Sequence, residues 1–462
     1  MLTRIPNILH FFVGVLSLPI PVTSGQGLPS PKIYFNASIK DSSIEGIAGD
    51  ANGSIYLTIN RPIGVGSSSE SWVYKMKSKT GEIVNSKLIT SGRSKVGACS
   101  LTSDERMLVV SPFRADREKN VGIHGVSTES LGVVWSNSLA RQSNKGVPPL
   151  IVPQSKNSTS DTIVYCSMTD GIVVLDPTGR MLWSATDLKT DQVAATDDFL
   201  FAVNQATEKG YPLTVHNLTS GVLTGSSGPI LGETTNVGLV ISPDQQYVYT
   251  LRTGDSRGLY RSQADFLFFP AEIVTDQIAD ASKFSPLISP NGKIIYVANS
   301  LNAVTEAYSI PEDRILWRAT LCPTIPAILS PDGSSLYSFT CSGDLVRADA
   351  LTSDFIWRFS NFPGGFIPSS MSLSTNGTRL LLAGSVVSIG ATGYAFGFLT
   401  DEDQAVVPTD TPESAPIGMP TRTSAPSHQG SETIANASSA MDLSPLATVP
   451  AVCMLTLNFM IR

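Results

Sequence analysis

Little in this chain speaks for chemistry. Only 15% of its 462 residues are charged, the formal net charge is −7, and no block of Lys and Arg occurs. Nucleic-acid binding therefore has no electrostatic footprint here. Histidine is scarce, with four in the chain. His10 and His428 fall in the terminal segments. His124 and His216 stand apart, each in a strand-like run without a neighbouring His, Cys or carboxylate motif, so no metal-ligand spacing is present. Apolar residues at 3.6-residue spacing are hard to find between 30 and 400, which removes helical bundles and α/β layers from consideration. One hydrolase-like motif occurs, Gly254-Asp255-Ser256-Arg257-Gly258. It lies between strand-like runs with no helix to form the strained elbow that exposes such a serine, and it reads as a chance match. No catalytic, cofactor-binding or metal-binding residue is nominated.

What the chain does have is a repeat. Trp135, Trp183, Trp317 and Trp357 each follow a turn by a few residues, as in Pro177-Thr178-Gly179-Arg180-Met181-Leu182-Trp183. A second turn recurs earlier in each unit: Ser242-Pro243-Asp244, Ser289-Pro290-Asn291-Gly292, Ser330-Pro331-Asp332-Gly333 and Ser374-Thr375-Asn376-Gly377. Looser copies stand at Asn52-Gly53, Ser103-Asp104, Ser160-Asp161 and Asp197-Asp198. Asn-Gly and Asp-Gly supply the positive φ that tight hairpins need. Eight such turns at a mean spacing of about 46 residues match four-stranded blades. The expected fold is all-β: a single β-propeller of eight blades, with seven as the alternative, over residues 30–400. The last unit is one strand short, and the early run Ile33-Tyr34-Phe35 is the candidate to complete it and close the ring.

The segment from Thr169 to Trp183 resembles the repeat of quinoprotein-like propellers, and Ser289-Pro290-Asn291-Gly292-Lys293-Ile294-Ile295-Tyr296-Val297 is similar to YVTN-type repeats. The resemblance implies that the four tryptophans dock each blade on its neighbour. It also brings an enzyme reading, with pyrroloquinoline quinone and calcium as cofactors. The enzymes of that family typically pair adjacent cysteines near the cofactor, and no two cysteines are adjacent here.

The ends of the chain carry an address. Residues 1–24 combine Arg4, an apolar run from Ile8 to Val22 and small residues at 23–25, the pattern of a cleaved secretory signal. Residues 401–440 are rich in Pro, Ser and Thr and read as a disordered stalk of the kind that carries O-glycans. Small residues around Asn436 and Ser438, then an apolar tail within 441–462, match a signal for a glycosylphosphatidylinositol (GPI) anchor. A C-terminal membrane span and plain secretion are the alternatives. Asn-X-Ser/Thr sequons begin at Asn36, Asn52, Asn157, Asn217, Asn376 and Asn436, the last competing with lipid attachment. Cys322 and Cys341 flank the hairpin turn near Asp332 and are expected to form a disulfide at the open end of its strands. Cys99 and Cys166 fall in different units, as buried thiols or as a second pair.

In a propeller, successive connections alternate between two faces. Asn52, Asn157, Asn217 and Asn376 all fall on turns of one face, so glycans would leave the opposite face for a partner. That face carries the longest polar insertions, with Arg114, Asp116 and Arg117, then Glu208, Lys209 and Tyr211, then Arg252, Asp255 and Arg257 as candidate contacts. The expected function is non-catalytic binding of an extracellular protein or glycan by a monomer without cofactors. The alternative is an enzyme using the central channel, as a quinone-dependent dehydrogenase or a metal-dependent hydrolase.

Overall fold

A computed structural model describes residues 28–400 apart from 64–67, 115–121, 139–146, 154–159, 168–170, 191, 204–212, 227–237, 253–256, 265–271, 279–283, 300–302 and 387–390. Its strands form eight four-stranded antiparallel sheets, and the sequence has no helix among the described residues. Blade 1 runs from its inner strand Ser43–Gly49 to its outer strand Ile83–Gly92. Blades 2 to 7 begin at Lys95–Leu101, Leu150–Pro153, Val193–Ala195, Gly238–Ile241, Leu287–Ile288 and Ile328–Leu329. Blade 8 takes its first three strands, Phe366–Leu373, Arg379–Val386 and Thr392–Leu399, from the end of the domain. Its fourth strand is Ile33–Ile39, antiparallel to Thr392–Leu399. The eight-blade count and the closure by the early strand are as the sequence indicates.

All eight recurring turns fall between the first and second strands of their blades. Positive φ at this place is met by Gly53, Gly292, Gly333 and Gly377, but also by Glu105 (58°) and Gln245 (59°). These two side chains turn their unfavourable backbone conformation to use. The Glu105 carboxylate accepts the Ala51 N–H of blade 1 at 3.1 Å, and the Gln245 amide oxygen accepts the Asp197 N–H of blade 4 at 3.1 Å.

The core is a series of layers between blades. Tyr337, Phe339 and Trp357 of blade 7 pack with Leu380, Leu382, Phe396 and Phe398 of blade 8, while Leu381, Ala383 and Ala395 face the other way and pack with Ile44, Ile47 and Ile55 of blade 1. This period-two division follows from the alternation of side chains along a strand.

The tryptophans sit where blades meet. Trp135 Nε1 donates to the Pro177 carbonyl at 3.0 Å, Trp183 to Leu218 at 2.8 Å and Trp317 to Ala350 at 3.0 Å. Each acceptor belongs to the turn between strands three and four of the following blade. Trp357 instead stacks on Phe398 of blade 8, with centroids 6.1 Å apart. Gly179 and Gly221 (φ 80° and 72°) are fixed twice over: each needs left-handed backbone, and a Cβ there would lie 2.3 Å from Trp135 or 2.6 Å from Trp183.

Candidate functional site

The propeller has two unlike faces. One bears the turns between strands one and two and between strands three and four, and is called here the turn face. The other bears the connections between strands two and three and from blade to blade, and is the loop face.

On the turn face the hairpins touch in sequence around the ring. Ser103 N–H donates to the Asp161 carboxylate at 2.8 Å, linking blades 2 and 3. Pro290 lies against Gly333 and Pro331 against Gly377, each within 2.7 Å of where a Cβ would stand. Thr375 N–H reaches the Gly49 carbonyl at 3.1 Å across the closure. Both ends of the described domain also lie here. Ile33 pairs with Phe398, and Thr400 N–H donates to the Thr378 carbonyl at 3.0 Å.

Asn52 and Asn376 are exposed on turns of adjacent blades on this face. Asn217 is half-buried at a three-to-four turn, its Oδ1 accepting the Thr219 and Ser220 N–H groups at 3.2 and 2.9 Å. Asn36 is exposed on the outer strand of blade 8. Asn157 lies outside the described residues, as do Asn436, Ser438 and both terminal segments expected to direct secretion and anchoring. Among the described residues no helix is long and apolar enough to cross a membrane.

The loop face holds the candidate contacts. Arg114 ends the second strand of blade 2, and Asp116, Arg117, Glu208, Lys209, Tyr211 and Asp255 lie outside the described residues. Arg257 is exposed. Arg252 lies 3.8 Å above the Tyr260 ring with its Nε buried and without a hydrogen-bond partner, and burial lowers its pKa. It is a packed residue rather than a free contact.

Two features of this face were not singled out by the sequence. The first is a pair of arginines that follow tryptophans. Arg318 Nε meets the Glu306 carboxylate at 2.6 Å, and Arg358 meets Asp344. Both carboxylates are buried and both arginines about half exposed. Burial alone would raise the Asp344 pKa, but hydrogen bonds from Ser342 and Ser360 and the Arg358 guanidinium together hold it below the usual carboxylate value. The repeated Trp-Arg dipeptide was the available signal. The second is the connection from blade 7 to blade 8, where Phe362 and Phe366 stack with centroids 5.1 Å apart and Ile367 is 57% exposed. Gly364 has no neighbour within 4 Å of a built Cβ. An apolar lip at blades 7 and 8 results.

The expected disulfide is not formed in this structure. Cys322 and Cys341 do meet at the open end of their hairpin, where Cys341 N–H donates to the Cys322 carbonyl at 2.7 Å, but both are free thiols. Burial and contact with the Cys341 thiol push Cys322 up to about 11, which favours the protonated form over the thiolate that attacks sulfur. Cys99 and Cys166 are buried, and burial pushes the Cys99 thiol up to about 12. In native protein, iodoacetamide should label Cys341 first. Cys166, packed between blades 3 and 4, should react roughly 10³-fold more slowly, through unfolding. Peptide mass mapping reads the order, and early labelling of Cys166 would contradict the packing between blades 3 and 4.

The inner strands of blades 8, 1 and 2 border a cavity of about 240 Å³ whose lining includes Ile47, the Cys99 thiol, Ser100, Met371 and Ser372. Among the described residues no three His, Cys, Asp or Glu side chains converge on a point. His124 and His216 lie on third strands in blades 2 and 4.

No protein-family model and no curated protein matches the chain. Solved structures do. Sqt1 from Chaetomium thermophilum, crystallised bound to the N-terminus of ribosomal protein L10, superposes with a TM-score of 0.59 at 13% identity, covering 80% of this chain and 100% of that one. The chain is an eight-bladed β-propeller. The computationally designed Ika8 protein gives 0.52 at 12% identity, covering 81% of this chain and 100% of its own. BamB from Moraxella catarrhalis gives 0.49 at 11% identity over 78% and 96%, too low to carry weight. Likeness at these identities shows the fold alone.

Proposed function

We propose that this propeller is a non-catalytic binding module of the cell surface, quinoprotein-like in its repeat, that meets an extracellular protein or glycan through its loop face. The observation that carries the reading is the polarity of the ring. Both ends of the domain and the sequon-bearing turns at Asn52, Asn217 and Asn376 lie on the turn face. A chain anchored through its C-terminal tail would be tethered from the turn face, leaving the loop face as the one without a tether. The apolar lip of Phe362, Phe366 and Ile367 and the half-exposed Arg318 and Arg358 are then placed for recognition. The C. thermophilum Sqt1, which is similar in fold, was crystallised bound to the N-terminus of a ribosomal protein, a precedent for binding a protein segment.

The experiment has two arms. Expressed at full length in a secretory host, the protein should be released from cells by a phosphatidylinositol-specific phospholipase C, most of the surface signal passing to the medium. Retention of the full signal would sink the lipid anchor. Pro363→Thr creates a sequon at Asn361 on the loop face. A glycan there should abolish binding to a panel of secreted proteins and glycans, whereas Asn376→Gln should leave it intact; the reverse pattern would place recognition on the turn face. Stoichiometric calcium together with a quinone absorbance band in the purified protein would favour the enzyme alternative instead.

A further inference from the structure

The connection from blade 6 to blade 7 meets the tip of blade 7's central hairpin on the loop face, and a cysteine stands on each side. Pro323 pairs with Thr340 across a short antiparallel bridge. Flanking it, Thr324 N–H donates to the Phe339 carbonyl at 3.0 Å and Cys341 N–H to the Cys322 carbonyl at 2.7 Å. Cys322 and Cys341 are therefore directly opposite, and their thiols are in hydrogen-bond contact. Opposed residues of an antiparallel pair stand roughly 4.5–5.5 Å apart at Cα, inside the roughly 4.4–6.8 Å that a disulfide spans. Cys341 is exposed at the tip, with Cys322 half-buried behind it. A disulfide in so open a place is of the reducible kind.

The same tip holds a charge in place. Thr340 N–H donates to the Asp344 carbonyl at 2.8 Å and Gly343 N–H to the Thr340 carbonyl at 3.0 Å. Ser342 Oγ, beside Cys341, donates to Asp344 Oδ2 at 2.6 Å, and the same carboxylate holds Arg358. On the strand leading to the tip, Phe339 packs on Phe362 and Phe366 of the apolar lip, with centroids 5.3 and 5.8 Å apart. What happens at Cys341 is thus felt at Arg358 through one short turn.

We propose that Cys322 and Cys341 are a thiol–disulfide switch of the loop face. The Cys341 thiolate attacks one sulfur of an incoming disulfide such as glutathione disulfide, whose S–S bond breaks. The first thiol leaves with the proton that Cys341 gave up. Cys322 then loses its proton and attacks the Cys341 sulfur, and the second thiol leaves with that proton. Two protein thiols are oxidised and one small disulfide is reduced; excess thiol runs the sequence backwards. Closure ties the hairpin tip to the incoming connection and stiffens the turn that positions Asp344 and Arg358. The chemistry of the pair stands by itself, and its meaning for recognition rests on the loop-face reading above.

The test uses the full-length protein and no binding partner, so its failure is separable from failure of that reading. After exposure to glutathione disulfide, the tryptic peptide that begins at Ala319 carries both cysteines and should be lighter by two hydrogens. Millimolar dithiothreitol should restore both thiols to iodoacetamide while the circular dichroism stays that of folded protein. Oxidised protein should melt about 4 °C above reduced protein, a difference absent from Cys341→Ser and from Cys322→Ser. Amide exchange at Gly343 and Asp344 should slow about tenfold on oxidation. Glutathione retained on Cys341 would show that Cys322 does not displace it, and would overturn the pair. A disulfide that opens only in denaturant would be a structural bond and no switch. Exchange at Gly343 and Asp344 indifferent to oxidation would cut the link to Arg358 and sink the switch as well.

Discussion

Replacing Trp183 with alanine should lower the unfolding free energy by about 3–5 kcal/mol, the range for a buried aromatic whose cavity cannot collapse. The side chain joins blade 3 to blade 4 in three ways. It is 9% exposed, its Nε1 donates to Leu218, and its ring stacks on His216 with centroids 5.7 Å apart. Urea unfolding should separate these contributions. Trp183→Phe keeps most of the apolar area but leaves the Leu218 carbonyl without this donor, and should cost about 1–2 kcal/mol. Trp135 is less buried and makes the equivalent bond from blade 2, so its alanine variant should lose less than Trp183→Ala. A loss under about 1 kcal/mol at Trp183 would show that blade 3 is held by something else.

The second large effect is a pH dependence. His124 is buried, its Nδ1 lies 2.7 Å from Ser136 Oγ, and its Nε2 has no hydrogen-bond partner. Burial pushes its pKa down to about 4 from an ordinary 6.5. Between these values the unfolded chain takes up a proton that the folded one refuses, so stability falls as pH drops through this window and is flat above it. The contribution lost between pH 7 and pH 4.5 should be about 2–3 kcal/mol. Unfolding curves at the two pH values, compared with those of His124→Gln, isolate this residue from the carboxylates. An equal pH effect in the variant would show that His124 is hydrated in the folded state.

The repeat was legible because its signals are local. A hairpin turn and the strand that follows it lie within ten or so residues, so Ser330-Pro331-Asp332-Gly333 announces itself without knowledge of the rest of the fold. The docking of Trp135 on Pro177 was legible only through the resemblance, because the acceptor is a backbone carbonyl 42 residues away. Blade 4 shows the limit: Gly225 stands opposite Val215, where blades 2, 3, 6 and 7 place tryptophan, so only the turn at Asn217, and no aromatic, marks the outer strand Leu223–Ser226. The lip at Phe362 and Phe366 was missed because two aromatics in a Pro-Gly-Gly connection read as core residues of the strands beside them. The sequence puts Arg252 among the contacts because it adjoins a polar insertion; the ring of Tyr260 beneath it becomes visible only once the strands pair.

The fourth strand of blade 8 comes from the start of the domain and the other three from its end. Within the domain Ile33–Ile39 is the first strand to be made, yet its partner Thr392–Leu399 is the last. Every earlier blade can assemble as it appears, while this one waits for the whole chain. A product cut short before Thr392 has no mate for its first strand and keeps two raw sheet edges open to other chains. Completion of the ring therefore works as a length check on the domain: the pairing with the greatest sequence separation, the kind expected to form late, is the one that leaves no sheet edge open.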